Sequence, residues 1–377
     1  MMSKPKTKIK YYTTEAIDAT HARIRITFGR RTNGKTTAIL LKGYNKRINS
    51  MNGRKEQMIY IRRWEQEIKP SNDIDTLFDG VKSIVNIEED TGGLYNTIIY
   101  KARKFYFAKM EDEKIIDIDV KPFCICLALS QNEHYKSLNF PDVTTVCFDE
   151  FLSENHQYLP NEYTRLKSII STITRLRDDV EIHLIGNSVD RNCIYWNEFR
   201  IVEIIKKMKD GDLYHYKPKN HKTDIAIEWA ESNIAPGTEA INVYTDFDDG
   251  KADMINSGEW DVDDYPHLPF SYNQNDILFI FFIEFNTEIF QCEIINKFNT
   301  PYIYIHRKTT EFKDIDNDLI YGNNPTGKPN YSINLYKPEY KIQHKICDLF
   351  HYNKVFYQDN LVGDAVHAFL EWCKHNA

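Results

Sequence analysis

Residues 29–36 read Gly-Arg-Arg-Thr-Asn-Gly-Lys-Thr and fit the phosphate-loop pattern G-x-x-x-x-G-K-[ST] at every fixed position. Those residue types in that order suit the grip of a polyphosphate. Glycines let the backbone wrap closely, so that several N–H groups point inward at phosphate oxygens. Lys35 reaches the β- and γ-phosphates, and Thr36 offers its hydroxyl to Mg²⁺. The expected contacts to ATP are therefore Gly29, Arg30, Arg31, Thr32, Asn33, Gly34, Lys35, Thr36 and the following Thr37. A second chemical group stands at Asp149-Glu150, where the apolar run TTVCF of 144–148 ends. A carboxylate at such a strand end holds Mg²⁺ through its water shell, which pairs Asp149 with Thr36 as the expected metal residues. Glu150, one residue on, is placed to take a proton from an attacking water, the mark of hydrolysis rather than of simple binding. Each feature alone also fits a blander reading, a glycine-rich turn or a solvated acidic strand end. Together they support one another.

The elements that must position these groups are visible on either side. Ile24, Ile26 and Phe28 alternate as in a strand, and Ala38 to Leu41 open a helix, so the octet sits between strand and helix as its chemistry requires. Met58–Ile61 reads as a second strand, ending in Arg62-Arg63-Trp64. Residues 82–120 break into short strands around Gly92-Gly93 and Glu111-Asp112-Glu113, a β-rich insertion in an α/β core. Residues 123–129 return to a buried strand, and 132–142 form a polar loop holding Lys136 and Pro141. Residues 161–176 carry Leu166, Ile169, Ile170 and Ile173 at helical spacing and end with Arg175 and Arg177. The next core strand, 181–185, is followed by Asn187, either a contact to the γ-phosphate or the hydrolytic water, or a turn residue.

Composition limits what else the chain does. Its 377 residues suggest two or three domains, and 42% hydrophobic with 27% charged residues is ordinary for a soluble globular protein. The abundance of Tyr (24) and Phe (21) suits much sheet. The net charge of −7 provides no global field that draws the protein onto nucleic acid, so DNA contact has to come from a local patch or from assembly into a ring. Seven cysteines without a C-x-x-C pair read as buried reduced thiols of a reducing compartment. No signal peptide stands at the lysine-rich start, and the longest apolar run, 277–283, is too short to span a bilayer, so no membrane is expected.

Beyond residue 200 the chain offers a helix at 201–208, then a polar stretch with acidic groups at 246–249 and 261–264 that reads as a small linker domain. Three strands follow at 277–285, 288–295 and 302–306, then helices around 340–350 and 362–373. The expected division is 1–208, 209–264 and 265–377.

These residues resemble the DNA-packaging ATPases of small short-tailed phages, related to the FtsK/HerA translocases. The resemblance covers roughly the first 200 residues. It rests on the strand–loop–helix unit, Arg62-Arg63, Lys104-Phe105-Tyr106, FPDVTTVCFDEF at 140–151, LPNEY at 159–163, TRLR at 174–177 and the strand ending at Asn187. It implies a P-loop NTPase core of the ASCE type, and a homomeric ring, usually of five subunits, at the portal of a procapsid in the host cytoplasm. The implied partners are double-stranded viral DNA, the procapsid, further copies of the chain and, left open, a scaffold RNA. Arg175 matches a trans-acting arginine finger and Lys136 a second trans-acting cation. The helix ending at Arg175 is expected to point toward the edge where the core strands end. Glu65 departs from the lysine that family members can carry and is assigned no role. The C-terminal domain matches an RNase H-like vestigial nuclease. A working nuclease needs a carboxylate in its first strand, and the run 277–283 has none. Lys297, Arg307, Lys308 and Lys313 are candidate phosphate contacts or simply a solvated face. Rival readings are a kinase or GTPase, a nucleotide-binding capsid protein, and a P-loop translocase or helicase-like ATPase not linked to capsids.

Overall fold

A computed structural model describes residues 11–29, 33–70, 74–153, 158–187, 193–217, 223–231, 264–286, 288–308, 312, 314, 316–323 and 326–375. The chain divides into two units, Met1–Ser153 with Glu162–Val189 and Lys207–Glu259, and Glu154–Asn161 with Asp190–Lys206 and Trp260–Ala377. Both are mixed α/β with sheets rich in parallel pairs.

The first unit is built on ten strands: β1 (Ile24–Phe28), β2 (Gln57–Arg62), β3 (Thr97–Lys101), β4 (Lys104–Glu111), β5 (Lys114–Ile118), β6 (Cys124–Ala128), β7 (Val143–Asp149), β8 (Glu181–Gly186), β9 (Leu213–Tyr216) and β10 (Ile225–Trp229). Their order is β3-β4-β6-β2-β7-β8-β1-β10-β9, with β5 on β4. The six strands from β6 to β10 in that order are all parallel. Parallel strands need both faces covered and so read as near-continuous apolar runs, as β7 does, buried along its whole length. The helix Lys35–Asn49 lays Ile39, Leu40 and Tyr44 against a cluster that includes Met58, Tyr60 and Cys147.

The insertion continues this sheet, because β4 pairs antiparallel with β6 through Lys104↔Ile125 and Phe105↔Cys124. Its hairpins turn at Ala102-Arg103 and Asp112-Glu113, all with positive φ, the geometry of a two-residue turn that follows the strand twist. Arg47 and Asp119, both fully buried and 2.5 Å apart, tie it to the Lys35–Asn49 helix. One expectation is corrected here. Leu213–Tyr216 and Ile225–Trp229, read with the linker, run in the first unit's sheet, β10 parallel to β1. That pairing spans some 200 residues, and the polar sequence around β10 concealed it. The acidic groups Asp246, Asp248, Asp249, Asp261 and Asp263 lie outside the described residues.

In the second unit β11 (Ile277–Phe285), β12 (Glu288–Lys297) and β13 (Thr300–Arg307) form an antiparallel meander. β14 (Ile320–Gly322), β15 (Tyr331–Ser332) and β16 (Val355–Tyr357) add in parallel, giving the order β15-β14-β11-β12-β13-β16. Alternate residues Phe281, Ile283, Phe290, Cys292, Ile303 and Ile305 share one core with Ile346, Val366 and Phe369 of the helices Lys341–His351 and Asn360–His375. β11 has the extent expected, and beyond its carboxylate-free run 277–283 it carries half-buried Glu284, which the expectation of a carboxylate-free first strand overlooked. Among the described residues no group of three or more His, Cys, Asp or Glu is arranged to hold a metal. Lys297 pairs with Asp276 at 3.0 Å and Arg307 with Asp359 at 2.6 Å, and the Lys308 ammonium lies over Phe282 and Phe312. Lys313 lies outside the described residues.

Candidate active site

β1, held between β8 and β10, delivers Gly29 to the loop. Gly29 has φ +143°, and a Cβ there would lie 2.9 Å from the carbonyl oxygen of Ala230, so no side chain fits. Gly34, left-handed at φ +88°, caps the helix Lys35–Asn49. The first N–H groups of that helix have no partner within it, and they give the loop a partial positive charge. Lys35 is 2% exposed. Its Nζ donates to the carbonyl oxygen of Gly29 at 3.0 Å and to Oδ1 of Asn33 at 3.1 Å. Burial lowers its pKa to about 8, against the opposing pull of Asp149. Asn33 Nδ2 is buried without a hydrogen-bond partner among the described residues. A buried cation beside an orphaned donor fits a polyphosphate, which would accept from both. Thr37 faces Gly80, where an added Cβ would lie 3.1 Å from the Thr37 hydroxyl. Arg30, Arg31 and Thr32 lie outside the described residues.

Asp149 ends β7 and is 5% exposed. The Thr36 hydroxyl donates to its Oδ2 at 3.2 Å, and the Tyr60 hydroxyl donates to the same atom at 2.7 Å. Burial raises the Asp149 carboxyl above the usual carboxylate range, while Arg62 and Tyr60 oppose the rise. Glu150 follows with a left-handed φ of +55°, and its N–H donates to Asp149 Oδ1 at 2.9 Å. Its side chain, 47% exposed, meets Arg62 Nη2 at 2.6 Å. Burial works against the charge of Arg62, but the carboxylates of Asp149, Glu150 and Glu67 outweigh it and hold the guanidinium protonated. Arg63 turns the other way. It pairs with buried Glu162 through Nε at 2.9 Å and donates to the carbonyl oxygens of Glu150 at 3.0 Å and Phe151 at 2.8 Å. A non-glycine residue in the left-handed region costs roughly 1–2 kcal/mol. The two carbonyl bonds from Arg63 offset that cost and fix the direction in which Glu150 leaves the strand.

Lys35, Thr36, Asp149 and Glu150 are thus brought together, with Asn33 beneath. Asn187 follows β8 directly and is half-buried. Lys136 is not part of this group; its ammonium is exposed and pairs with Glu133 at 2.6 Å. Arg175 is not part of it either, and the expected direction of its helix is overturned. The helix Glu162–Thr174 connects two parallel neighbours, β7 and β8, so it runs antiparallel to them. It begins at Glu162, beside the ends of β2 and β7, and closes at the opposite edge, where Arg177 donates to the carbonyl oxygens of Phe140 and Val143. Arg175 there has φ +37° and donates from Nη2 to the carbonyl oxygen of Leu138 at 2.5 Å, on the loop that also holds Lys136. A 13-residue helix, about 20 Å long, separates Arg175 from its own phosphate loop. Glu65, assigned nothing, pairs with Arg103 and accepts from Gln131 at 2.9 Å. Sequence reasoning gave no role to Tyr60, Arg62, Arg63 or Glu162. The available signal was the Arg62-Arg63 pair closing a strand next to the acidic one.

Fold and site define a mixed α/β protein in which a lysine-bearing glycine loop faces a strand-end carboxylate pair across a parallel sheet. The model of the Podovirus DNA encapsidation protein (Gp16) family matches residues 6–217, more than half of the chain, and the protein belongs to that family. Over 155 residues it is 32% identical to the DNA packaging proteins of Bacillus phages PZA and phi29, a span of 40% of this chain and 40% of each relative's length. Among solved structures it is similar to the bacteriophage Phi-29 viral genome packaging motor assembly, with TM-score 0.54, 22% identity and coverage of 95% of this chain and 97% of that one. The Phi-28 gp11 DNA packaging motor matches with TM-score 0.53 at 19% identity over 97% of both chains. At such identity these likenesses speak for the fold.

Proposed function

We propose that the chain binds ATP with Mg²⁺ at the Lys35 loop and hydrolyses it, as one member of a homomeric ring, to drive double-stranded viral DNA into a preformed procapsid. The observation that carries this is the meeting of the buried Lys35 ammonium, the Thr36 hydroxyl and the Asp149 carboxylate, with Glu150 presented beside them. Membership of the encapsidation family supports the cargo. Thr36 and Asp149 are the residues that would hold Mg²⁺, which when bound neutralises charge on the phosphate oxygens. Lys35 and the glycine loop grip the phosphates, Glu150 takes the proton of the attacking water, and Arg62 and Arg63 aim Glu150. Asn187 contacts the γ-phosphate or that water.

Arg175 and Lys136 act on a neighbour's nucleotide. The support is positional, because Arg175 stands at the edge remote from its own loop and presents a planar fork suited to phosphate. The insertion of β8 between β7 and β1 supports an ASCE core. The order β13-β12-β11-β14-β15, an antiparallel meander followed by parallel strands, supports an RNase H-like second unit, read as a vestigial nuclease that contacts DNA or the procapsid. Five subunits, a portal seat and action in the host cytoplasm complete the reading. Among the described residues no helix is long and apolar enough to cross a membrane. ATP turnover by the purified protein, with and without procapsids and DNA, tests the proposal, and strong stimulation by the two together is expected. Turnover stimulated by DNA but indifferent to procapsids would mark a translocase not linked to capsids, and no turnover at all would end the motor reading.

A further inference from the structure

We propose that the ring of Tyr11 is the platform on which the base of the bound nucleotide stacks, an inference that rests on the nucleotide reading of the Lys35 loop. Tyr11 is 62% exposed. Its position is set by its neighbour. The Tyr12 N–H donates to the carbonyl oxygen of Asn33 at 2.9 Å, which ties this segment to the phosphate loop itself. The Tyr12 hydroxyl donates to Glu228 Oε2 on β10 at 2.6 Å and lies 3.3 Å from Thr27 Oγ1 on β1. Tyr12 is thus fastened to the loop and to two core strands, and Tyr11 beside it is carried on that anchor with much of its side chain exposed.

The ring lies on Gly34. A Cβ built there would make ordinary van der Waals contact with Tyr11, at 3.4 Å from Cδ1, 3.5 Å from Cβ and 3.8 Å from Cγ, so the side chain stands beside the turn that opens the Lys35–Asn49 helix. Phosphates gripped by that helix start leave the ribose and base to extend over its rim, within reach of a side chain seated on Gly34. An exposed, pre-positioned π-face at that place pays little ordering entropy on binding, which is the property of a stacking surface. Stacking reads a base as a flat area, so it adds affinity for a nucleoside triphosphate that a bare polyphosphate does not receive.

The test is isothermal titration of the full-length protein with MgATP and with Mg-tripolyphosphate, for wild type, Tyr11→Ala, Tyr11→Phe and Lys35→Ala. Tyr11→Ala should weaken MgATP by roughly 5- to 150-fold, the range of one lost base–aromatic stack. It should leave tripolyphosphate within about twofold, and Tyr11→Phe should restore MgATP. Lys35→Ala should lose both ligands. If Tyr11→Ala binds MgATP like wild type, or loses tripolyphosphate in equal measure, Tyr11 is no base platform, while the Lys35 result still stands. If wild type binds neither ligand, or Lys35→Ala keeps both, the nucleotide reading itself falls and takes the inference with it.

Discussion

In the first unit Arg25, Lys35, Arg47, Arg63, Asp119, Asp149 and Glu162 are each 7% exposed or less, whereas in the second the buried charged residues among those described are Glu293 and Asp364. Burying a charge is expensive unless it is paired and hydrogen-bonded, and replacing such pairs by apolar groups is often neutral or stabilising. Charge kept inside a fold therefore asks for a reason. In the first unit two reasons are visible. Arg63–Glu162, Asp149 and Lys35 crowd the edge where the parallel strands end and shape a site there. Arg47–Asp119 lies away from it and fastens the insertion to the helix. The second unit, with its continuous core from Phe281 to Phe369, needs no such account. The contrast teaches which region to test for chemistry and which for packing.

The sharpest way to break that contrast is to remove charge from the first unit's edge. Lys35→Ala should abolish nucleotide binding at concentrations that saturate the wild type, measured by equilibrium titration, because no other ammonium stands on the loop. Arg175→Ala should leave nucleotide affinity of the isolated chain nearly unchanged and lower assembled-ring turnover on the order of 10³-fold. Mixed rings of Arg175→Ala and Glu150→Gln chains should regain some activity, since one interface in such a ring has both groups intact. No recovery over a range of ratios would favour Arg177 or a role within the same chain.

The packing half of the comparison is tested by unfolding in urea. Asp119→Ala strands a buried guanidinium and should cost about 3–5 kcal/mol, most of it recovered when Arg47→Met and Asp119→Leu are combined. Phe290→Ala in the second unit should also cost about 3–5 kcal/mol, but through a cavity that no charge change repairs. The smallest effect expected is that of pH. With burial holding the Lys35 pKa at about 8 in the ligand-free protein, the phosphates favour its charged form and raise that value on binding. ATP affinity should be flat below about pH 8 and fall as pH rises through it, with proton uptake on binding detected in buffers of different ionisation heat.

Local pattern carried much of this. The octet and the run TTVCFDE are contiguous, and β1, β7 and the helix Lys35–Asn49 lie where their flanks suggest. The meander β11-β12-β13 was legible because its apolar runs are separated by short turns at Asn286 and Phe298-Asn299, each with positive φ. What escaped depends on distance in sequence. Nothing near Ile225 says that it pairs with Ile24, and nothing near Arg63 says that its partner is Glu162, 99 residues on. The Arg175 helix was misdirected for a different reason. A crossover between parallel strands must return the chain to the starting edge, a constraint that fixes direction once β7 and β8 are known to be neighbours.

The account turns on Glu150 as the base that activates water. Glu150→Gln keeps the shape of the side chain and the backbone grip of Arg63 while removing proton affinity. Steady-state ATP turnover and ATP affinity measured on the same preparation, wild type beside Glu150→Gln, are therefore the most direct test. Turnover should fall by roughly 10²–10⁴-fold with nucleotide binding retained. Near-normal turnover in the variant would contradict the assignment of hydrolysis to this site.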